Sequence, residues 1–373
     1  MEQNITYAGM DVHKDKIVIS LLNVGQNEPV EWSQKNTASR LIRRLKKEAT
    51  GEIVCCYEAG PCGYALQRAL EKAGIRCLVV APSLIPRKPG ERIKTDRRDA
   101  RKLARLLRSG DLTEVHPPTE EEESIRDVCR AREDAKEDLQ RSRHRLKKFL
   151  LRRGIVYDLG KRSWTHAHGA WLRSLSFTNE ADQKVFDDYL RSVTFLDERV
   201  KWWVEVLEEI SHQEPYATAV GYLRCFRGID TVTAMTVVAE LHGFMRFESP
   251  RGLMAYLGLV PSEHSSGETR RQGSITKTGN GHVRRVLIEA SWHYRHAPAT
   301  GRTLQARRKD QPGWVVATAD KAQQRLNRRY WRLVSRGKPT NKATVAVARE
   351  LVGFLWAVLY KESYDALGKA QVA

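Results

Sequence analysis

Four carboxylates stand out by their positions. Asp11 closes an apolar strand pattern in Tyr-Ala-Gly-Met-Asp-Val, and Glu58 closes another in Cys-Cys-Tyr-Glu-Ala. Asp96 and Asp99 lie in Lys-Thr-Asp-Arg-Arg-Asp-Ala at the start of a helical pattern, and a spacing of three puts them on nearly one face. A carboxylate at the end of an apolar strand sits at a sheet's carboxyl edge, where α/β ligand sites form. Four acids converging there repel one another unless a cation joins them. Hard divalent ions take such oxygen ligands, and Mg2+ suits one or two carboxylates plus substrate phosphate oxygens. Two ions roughly 3.5–4 Å apart stabilise both the attacking and the leaving oxygen of an in-line phosphoryl displacement. Each acid alone has an ordinary reading: Asp96 caps its helix, Asp99 complements the helix dipole, Glu58 pairs with an arginine. The joint pattern on this strand order is what points to phosphoryl chemistry.

The elements that must position these acids fall in residues 1–115. Tyr7 to Asp11 and Lys16 to Asn23 pattern as a strand hairpin, with Pro29 to Gln34 as a third strand. Thr37 to Glu48 has helical spacing, Glu52 to Glu58 is a strand, Cys62 to Lys72 a helix, Ile75 to Pro82 a buried strand, and a helix runs from about Asp96 to Arg108. Three strands followed by alternating helix and strand predict an α/β domain with a mixed sheet.

Residues 119–215 are expected to be helical. Ile125, Val128, Ala135, Leu139, Ser142, Leu146 and Phe149 recur near heptad spacing, as do Val193, Leu196, Val200, Trp203, Leu207 and Ile210, with an irregular stretch from Gly154 to Phe177 between them. This fits an antiparallel hairpin, a coiled-coil oligomerisation stalk, or two amphipathic helices packed on their own domain. Residues 219–373 read as mainly α. Leu223 to Leu241 resembles a helix-hairpin-helix with Asp230 where a second hairpin glycine would stand. A helix at Pro250 to Leu257, a Ser/Gly/Arg-rich loop at Pro261 to Gly281 and a helix at His282 to His293 follow. Residues 302–342 carry twelve Lys/Arg and two Asp, a local net of +10. There Arg325, Arg329, Arg332 and Arg336 share a helical face, with Tyr330 and Trp331 interleaved. The last helical pattern, Ala343 to Tyr360, has an apolar stripe.

Over the whole chain, 64 Lys/Arg face 45 acids, a net of +19 in 373 residues. Such a surplus favours a polyanionic partner, because neutralising phosphates releases condensed counterions. None of the six cysteines forms a C-x-x-C pair, so they read as reduced and buried. The N-terminus lacks a basic leader, and no apolar run approaches the roughly 18 residues of a spanning helix. The expected location is the cytoplasm, at the nucleoid during activity, with no membrane partner.

These residues resemble a known family. Asp11, Glu58 and Thr-Asp-x-x-Asp-Ala at 95–100 are similar to the RuvC-like half of the bridge-RNA-guided DEDD insertion-sequence transposases, whose relatives include pilin-gene invertases. Phe226 to Gly228, Ala239-Glu240-Leu241, Tyr256-Leu257-Gly258-Leu259-Val260-Pro261, Ser266-Gly267 and Thr276-Lys277-Thr278-Gly279-Asn280 resemble that family's C-terminal transposase domain. The resemblance spans nearly the whole chain. It implies an RNase H/RuvC-like α/β domain at 1–115, a helical coiled-coil segment at 119–215 and a mainly α transposase domain at 219–373. It implies a metal site of Asp11, Glu58, Asp96 and Asp99 holding Mg2+, with two ions possible and Mn2+ able to substitute.

The position matching the family's serine nucleophile is Ser266, with Ser262 and Ser265 close by. Ser266 would attack a DNA phosphodiester, form a phosphoserine link and leave a free hydroxyl that reverses the step on a new strand. Arg270, Arg271 and Lys277 would neutralise phosphate charge near it, and Arg325, Arg329, Arg332 and Arg336 would contact nucleic acid. The implied partners are double-stranded donor and target DNA, a structured noncoding guide RNA, and further copies of the chain in a homodimer or homotetramer that completes the site. The alternative is a RuvC-like metal-dependent nuclease or resolvase that uses water.

The charge surplus makes a direct prediction. If binding neutralises roughly 6–10 phosphates, DNA affinity falls about 10³–10⁵-fold between 50 and 200 mM salt. A salt titration of binding anisotropy checks this, and a flat response would remove the basic segment as a DNA surface.

Overall fold

The computed structural model describes residues 4–86, 94–158, 160, 163–263, 266, 269 and 271–370. The chain divides into two units, Met1–Pro118 and Thr119–Ala373. In the first, three runs of alternating or wholly apolar residues form an antiparallel meander: β1 (Ile5–Val12), β2 (Lys16–Leu22) and β3 (Val30–Lys35). Strands β4 (Glu52–Glu58) and β5 (Arg76–Val80) add to β1 in parallel, and β6 (Glu114–Val115) closes the edge antiparallel to β5. The order β3-β2-β1-β4-β5-β6 is the expected mixed sheet. The two-residue β6 is too short to carry a periodicity in the sequence. The helix expected from Cys62 starts later, as α2 (Ala65–Lys72), because a turn containing Gly63 at φ 61° precedes it.

Alternation along the strands assigns the two faces. Met10, Ile17, Ile19, Tyr57 and Val79 pack under α1 (Ala38–Glu48) and α2 through Leu41, Leu45 and Leu70. On the opposite face Val54, Cys56 and Val80 meet Leu103 and Leu107 of α3 (Asp96–Ser109). Gly9 lies under α3, and a Cβ added there would overlap the Ala100 carbonyl oxygen and the Ala104 amide nitrogen. Helix and strand therefore touch backbone to backbone. Thr95 caps α3 by accepting the Arg98 amide, and Arg101 donates to Glu31 of β3 at 2.7 Å.

The second unit is mainly helical. Thr119 and Glu122 form a reciprocal capping box that starts α4 (Glu120–Leu151). Helix α4 returns as α6 (Glu180–Ser211), and contacts of Ser142 with Ser192, Arg143 with Asp197 and Arg153 with Asp182 show an antiparallel pair within one chain. The connection expected to be irregular contains α5 (His166–Ser174). Leu146, Phe149, Leu172, Phe186 and Val193 fill the end of this hairpin.

Its other end enters the core of α7 (Ala217–Arg224), α8 (Thr231–Leu241), α9 (Pro250–Tyr256), α10 (Gly281–Ser291), α11 (Arg302–Arg308), α12 (Gly313–Val334) and α13 (Thr340–Ala370). The loop expected between Pro261 and Gly281 contains a short hairpin, β7 (Pro261–Glu263) and β8 (Gln272–Ile275). Its short strands are mostly polar and carry no apolar alternation.

The expectation of no spanning-length apolar stretch holds for unbroken runs but not for one helix taken as a whole. Thr340–Lys361 of α13 is 22 residues long and apolar enough to span a membrane. Counting unbroken apolar runs missed it because Arg349 and Glu350 interrupt the stretch. Half of it is buried, and Val347, Leu351, Leu355 and Val358 belong to the unit's core.

The close approach at Gly9 predicts a sharp response to substitution. Gly9→Val forces α3 off β1 and lowers the first unit's unfolding free energy by about 3 kcal/mol, the upper end of ordinary overpacking. Urea unfolding followed at the Trp32 fluorescence checks it, and an unchanged midpoint would show that the helix shifts at no cost.

Candidate active site

Asp11 is the penultimate residue of β1 and lies on the α3 face, in alternation with Tyr7 and Gly9. Glu58 ends β4 on the same face, in alternation with Val54 and Cys56. Met10 is in register with Tyr57, which makes Asp11 and Glu58 neighbours at the carboxyl edge of adjacent parallel strands. Asp96 and Asp99 stand in the first turn of α3, which Gly9 holds down on β1. One strand pair and one helix thus bring all four acids to one edge.

The closest grouping is Asp11, Asp96 and His13. One ligand atom from each lies within 4.8 Å of the others. His13 Nε2 is 3.3 Å from an Asp11 carboxylate oxygen and 3.8 Å from one of Asp96. Lys16 Nζ reaches Asp96 at 3.2 Å, and Lys94 Nζ lies 4.0 Å from Asp99. Glu58 is exposed and has no ion-pair partner among the described residues.

Electrostatics separate the acids. Burial pushes the Asp11 carboxyl above its ordinary value, His13 pulls it back, and the negative charges of Asp96 and Asp99 add to the rise. The hydrogen bond from Lys16 holds Asp96 below the ordinary range. Two oxygen donors and an imidazole within one ion's reach, with Asp11 carrying the cost of its acidic neighbours, fit a divalent cation. His13 was not singled out from the sequence. The signal was available, since a residue two after Asp11 in strand alternation projects to the same side.

In the second unit Ser266 is exposed and pairs with Thr269 through two backbone hydrogen bonds of 3.2 and 3.1 Å, beyond the β7–β8 ladder. Ser265 and Arg270 lie outside the described residues. Ser262 lies in β7, its Oγ in the space where a Cβ on Gly273 would project. Arg271 is exposed, and Lys277 adopts φ 57°, a left-handed conformation uncommon outside glycine and of a kind that clusters at functional sites.

The base of this hairpin is clamped. Thr276 N donates to Val260 O and Lys277 N to Gly258 O. Arg284 donates to the carbonyls of Leu257 and Thr278 at 2.9 and 2.8 Å. A Cβ on Gly279, at φ 65°, would overlap the Tyr256 carbonyl oxygen. Asn280 caps α10 with its carbonyl oxygen and donates its amide to Glu240 at 2.7 Å. Glu240 is buried and takes two further hydrogen bonds from Arg130 of α4, at 2.7 and 3.1 Å. Burial alone would raise the Glu240 carboxyl, but these donors outweigh it and hold it below the ordinary value. Residues from 130 to 284 thus meet in one polar clamp. Its pairings reach across more than a hundred positions and leave no local pattern.

Two sequence expectations change here. Arg325 and Arg329 both pair with Glu350 of α13, at 3.0 and 3.1 Å, while Arg332 and Arg336 are exposed. Arg336 lies past the end of α12, and Tyr330 is buried, so the basic face is narrower than its spacing implied. The turn between α7 and α8 is also not an open phosphate cradle. Asp230 accepts the Thr233 amide at 2.8 Å, and Gly228 packs against the Ala290 carbonyl. The Asp230 carboxylate there takes one of the amides a phosphate would need and places negative charge beside the rest.

Two family models match parts of the chain. Residues 221–305 match the family model described as "Transposase IS116/IS110/IS902 family". Residues 8–153 match a DEDD model of the IS110 group, described as a transposase. The chain is 43% identical over 356 residues to y4qE of Sinorhizobium fredii, named as a transposase, covering 94% of this chain and 88% of that protein. It is 38% identical over 340 residues to the transposase for insertion sequence element IS1533 of Leptospira borgpetersenii, covering 89% and 97%.

The polar clamp is open to test by pH. Glu240 is stabilised in its charged form, so its contribution is complete above the ordinary glutamate range and is lost as pH falls through its lower folded value. Glu240→Ala removes the carboxylate to which Arg130 and Asn280 donate and lowers stability by about 3 kcal/mol at neutral pH. That deficit shrinks as the pH is lowered below about 4. Unfolding titrations of wild type and variant at several pH values check it, and a pH-independent difference would show packing rather than charge.

Proposed function

The chain belongs to the IS116/IS110/IS902 transposase family and carries its DEDD domain, and on that premise we propose that it cuts and rejoins DNA through Ser266, with a divalent ion held at Asp11, Glu58, Asp96 and Asp99. The observation that carries the reading is the convergence of Asp11, Asp96 and His13 within one ion's reach at the sheet edge that also bears Glu58. When bound, Mg2+, or Mn2+ in its place, supplies positive charge to the phosphate and to the reacting oxygens. Two ions are compatible with four carboxylates, and His13 adds a nitrogen ligand to the set.

The protein groups do the rest. Ser266 Oγ gives up its proton and attacks the phosphorus, a P–O bond to the DNA sugar breaks, and the leaving oxygen takes up a proton to become a free hydroxyl. The reverse attack by a hydroxyl on another strand releases the serine, so bond energy is conserved without ATP. Its exposed position beyond a clamped hairpin supports this role for Ser266. Arg271 and Lys277, with Arg270, bind phosphates around it. Arg332 and Arg336 are the better candidates for backbone contacts in the 302–342 segment, with Arg325 and Arg329 sharing one acidic partner.

Residues 1–115 are assigned the metal site, 119–215 the pairing of copies, and 219–373 the serine chemistry. Phe195 and Trp202, one heptad apart on α6 and 63% and 54% exposed, support a homodimer or homotetramer built through the hairpin. Sequence choice is assigned to a structured noncoding RNA, which leaves the protein mainly backbone contacts and agrees with the net charge of +19.

A denaturing-gel trap with donor DNA and Mn2+ tests the reading. Wild type gives a covalent protein–DNA adduct and Ser266→Ala gives none. Asp11→Asn slows strand exchange by about 10²–10³-fold while keeping DNA binding. Full exchange by Ser266→Ala would transfer the role to Ser262, Ser265 or water.

A further inference from the structure

The densest run of positive charge lies outside the segment that composition singles out. Residues 141–153 of α4 and its end contain seven Lys/Arg and no acid. Arg141, Arg143 and Arg153 are engaged by Asp138, Asp197 and Asp182. Arg145, Lys147, Lys148 and Arg152 are exposed and have no ion-pair partner among the described residues. At this far end of the α4–α6 hairpin lies a cavity of about 390 Å³. Its walls include His144, Lys147, Lys148, Tyr157, His168 and Trp171.

The chemistry of these walls is specific. Tyr157, His168 and Trp171 pack with ring centroids 4.7 to 5.4 Å apart, and Tyr157 and Trp171 remain partly exposed. His168 is buried, 3% exposed, yet its Nδ1 has no hydrogen-bond partner among the described residues. Burial and the nearby Lys147 keep its imidazole below the ordinary pKa, hence neutral. A neutral ring nitrogen inside an aromatic cavity is a hydrogen-bond group waiting for a partner, and the cations beside it select an anion. An aromatic platform flanked by lysines is how proteins hold an unstacked base and its phosphate. The volume is at the lower end of small-molecule sites, enough for one nucleoside.

We propose that the end of the α4–α6 hairpin binds an unpaired nucleotide of a nucleic-acid strand, with the base against Tyr157, His168 and Trp171 and the phosphate at Lys147 and Lys148. A second copy of the chain is a poorer occupant, because its own hairpin end carries the same positive charge. The inference rests only on the protein acting on nucleic acid and is independent of the serine and of the carboxylates.

The test uses the full-length protein and fluorescent single strands of about 12 nucleotides, as RNA, as DNA and as an abasic strand, at about 100 mM salt. Wild type binds the abasic strand about tenfold more weakly than the intact one. Lys147→Ser/Lys148→Ser, two exposed positions whose change does not touch the core, weakens the intact strand by a similar factor and duplex DNA by less than about twofold. A photoreactive pyrimidine crosslinks to the peptide containing Tyr157 or Trp171. Preference for RNA or for DNA identifies the source of the strand. The proposal fails if intact and abasic strands bind alike, if the double variant weakens duplex and single strand equally, or if it alters self-association while oligonucleotide binding is unchanged.

Discussion

The candidate site depends on one contact: α3 pressed against β1 where residue 9 has no side chain. That absence lets Ala100 and Ala104 approach the strand backbone, and the small residues on the helix face complete the fit. Because Asp96 and Asp99 occupy the first turn of the same helix, the height of α3 above the sheet sets how near they come to Asp11. The register of β1 with β4 supplies Glu58 beside it. The Asp11 carboxyl is raised chiefly by its burial, and repulsion from Asp96 and Asp99 adds to that cost. Apolar packing of Leu103 and Leu107 on Val54, Cys56 and Val80 offsets that cost, with Lys16 and His13 moderating it electrostatically.

The second unit solves a different problem, holding an exposed polar hairpin in a fixed place. The strands β7 and β8 bury little, so their position is set at the base. There Arg284, Gly258, Gly279 and the Asn280–Glu240–Arg130 chain tie α4, α8, α9 and α10 together. Glu240 is expensive to bury and is fully provided with donors, which makes the arrangement specific as well as stable. Motifs scattered from Ala239 to Asn280 are therefore one object in space.

Much of this was legible in the sequence. Strands β1 to β5 and helices α1, α3 and α4 follow from alternation, apolar spacing and capping residues, and the four acids were marked by their places at strand and helix ends. What escaped had physical reasons. The short, polar β6 and β7–β8 carry no periodicity. His13 needed the strand's facing to be followed past its last apolar residue. The Glu240 clamp joins positions far apart in the chain. Charge counting saw the basic residues of 302–342 but not Glu350, which engages two of them, and heptad reading of α4 hid the basic run at 141–153. The membrane criterion met by α13 was missed because a few charges broke the run, although the stretch as a whole is apolar.

The most direct measurement of the central claim is anomalous diffraction from crystals of the protein grown with Mn2+. A peak is expected at roughly metal–oxygen bonding distance, about 2.0–2.3 Å, from the carboxylates of Asp11 and Asp96, with His13 or Glu58 completing the shell. A well-occupied peak elsewhere, with Asp11 still on His13 and Asp96 still on Lys16, would contradict it.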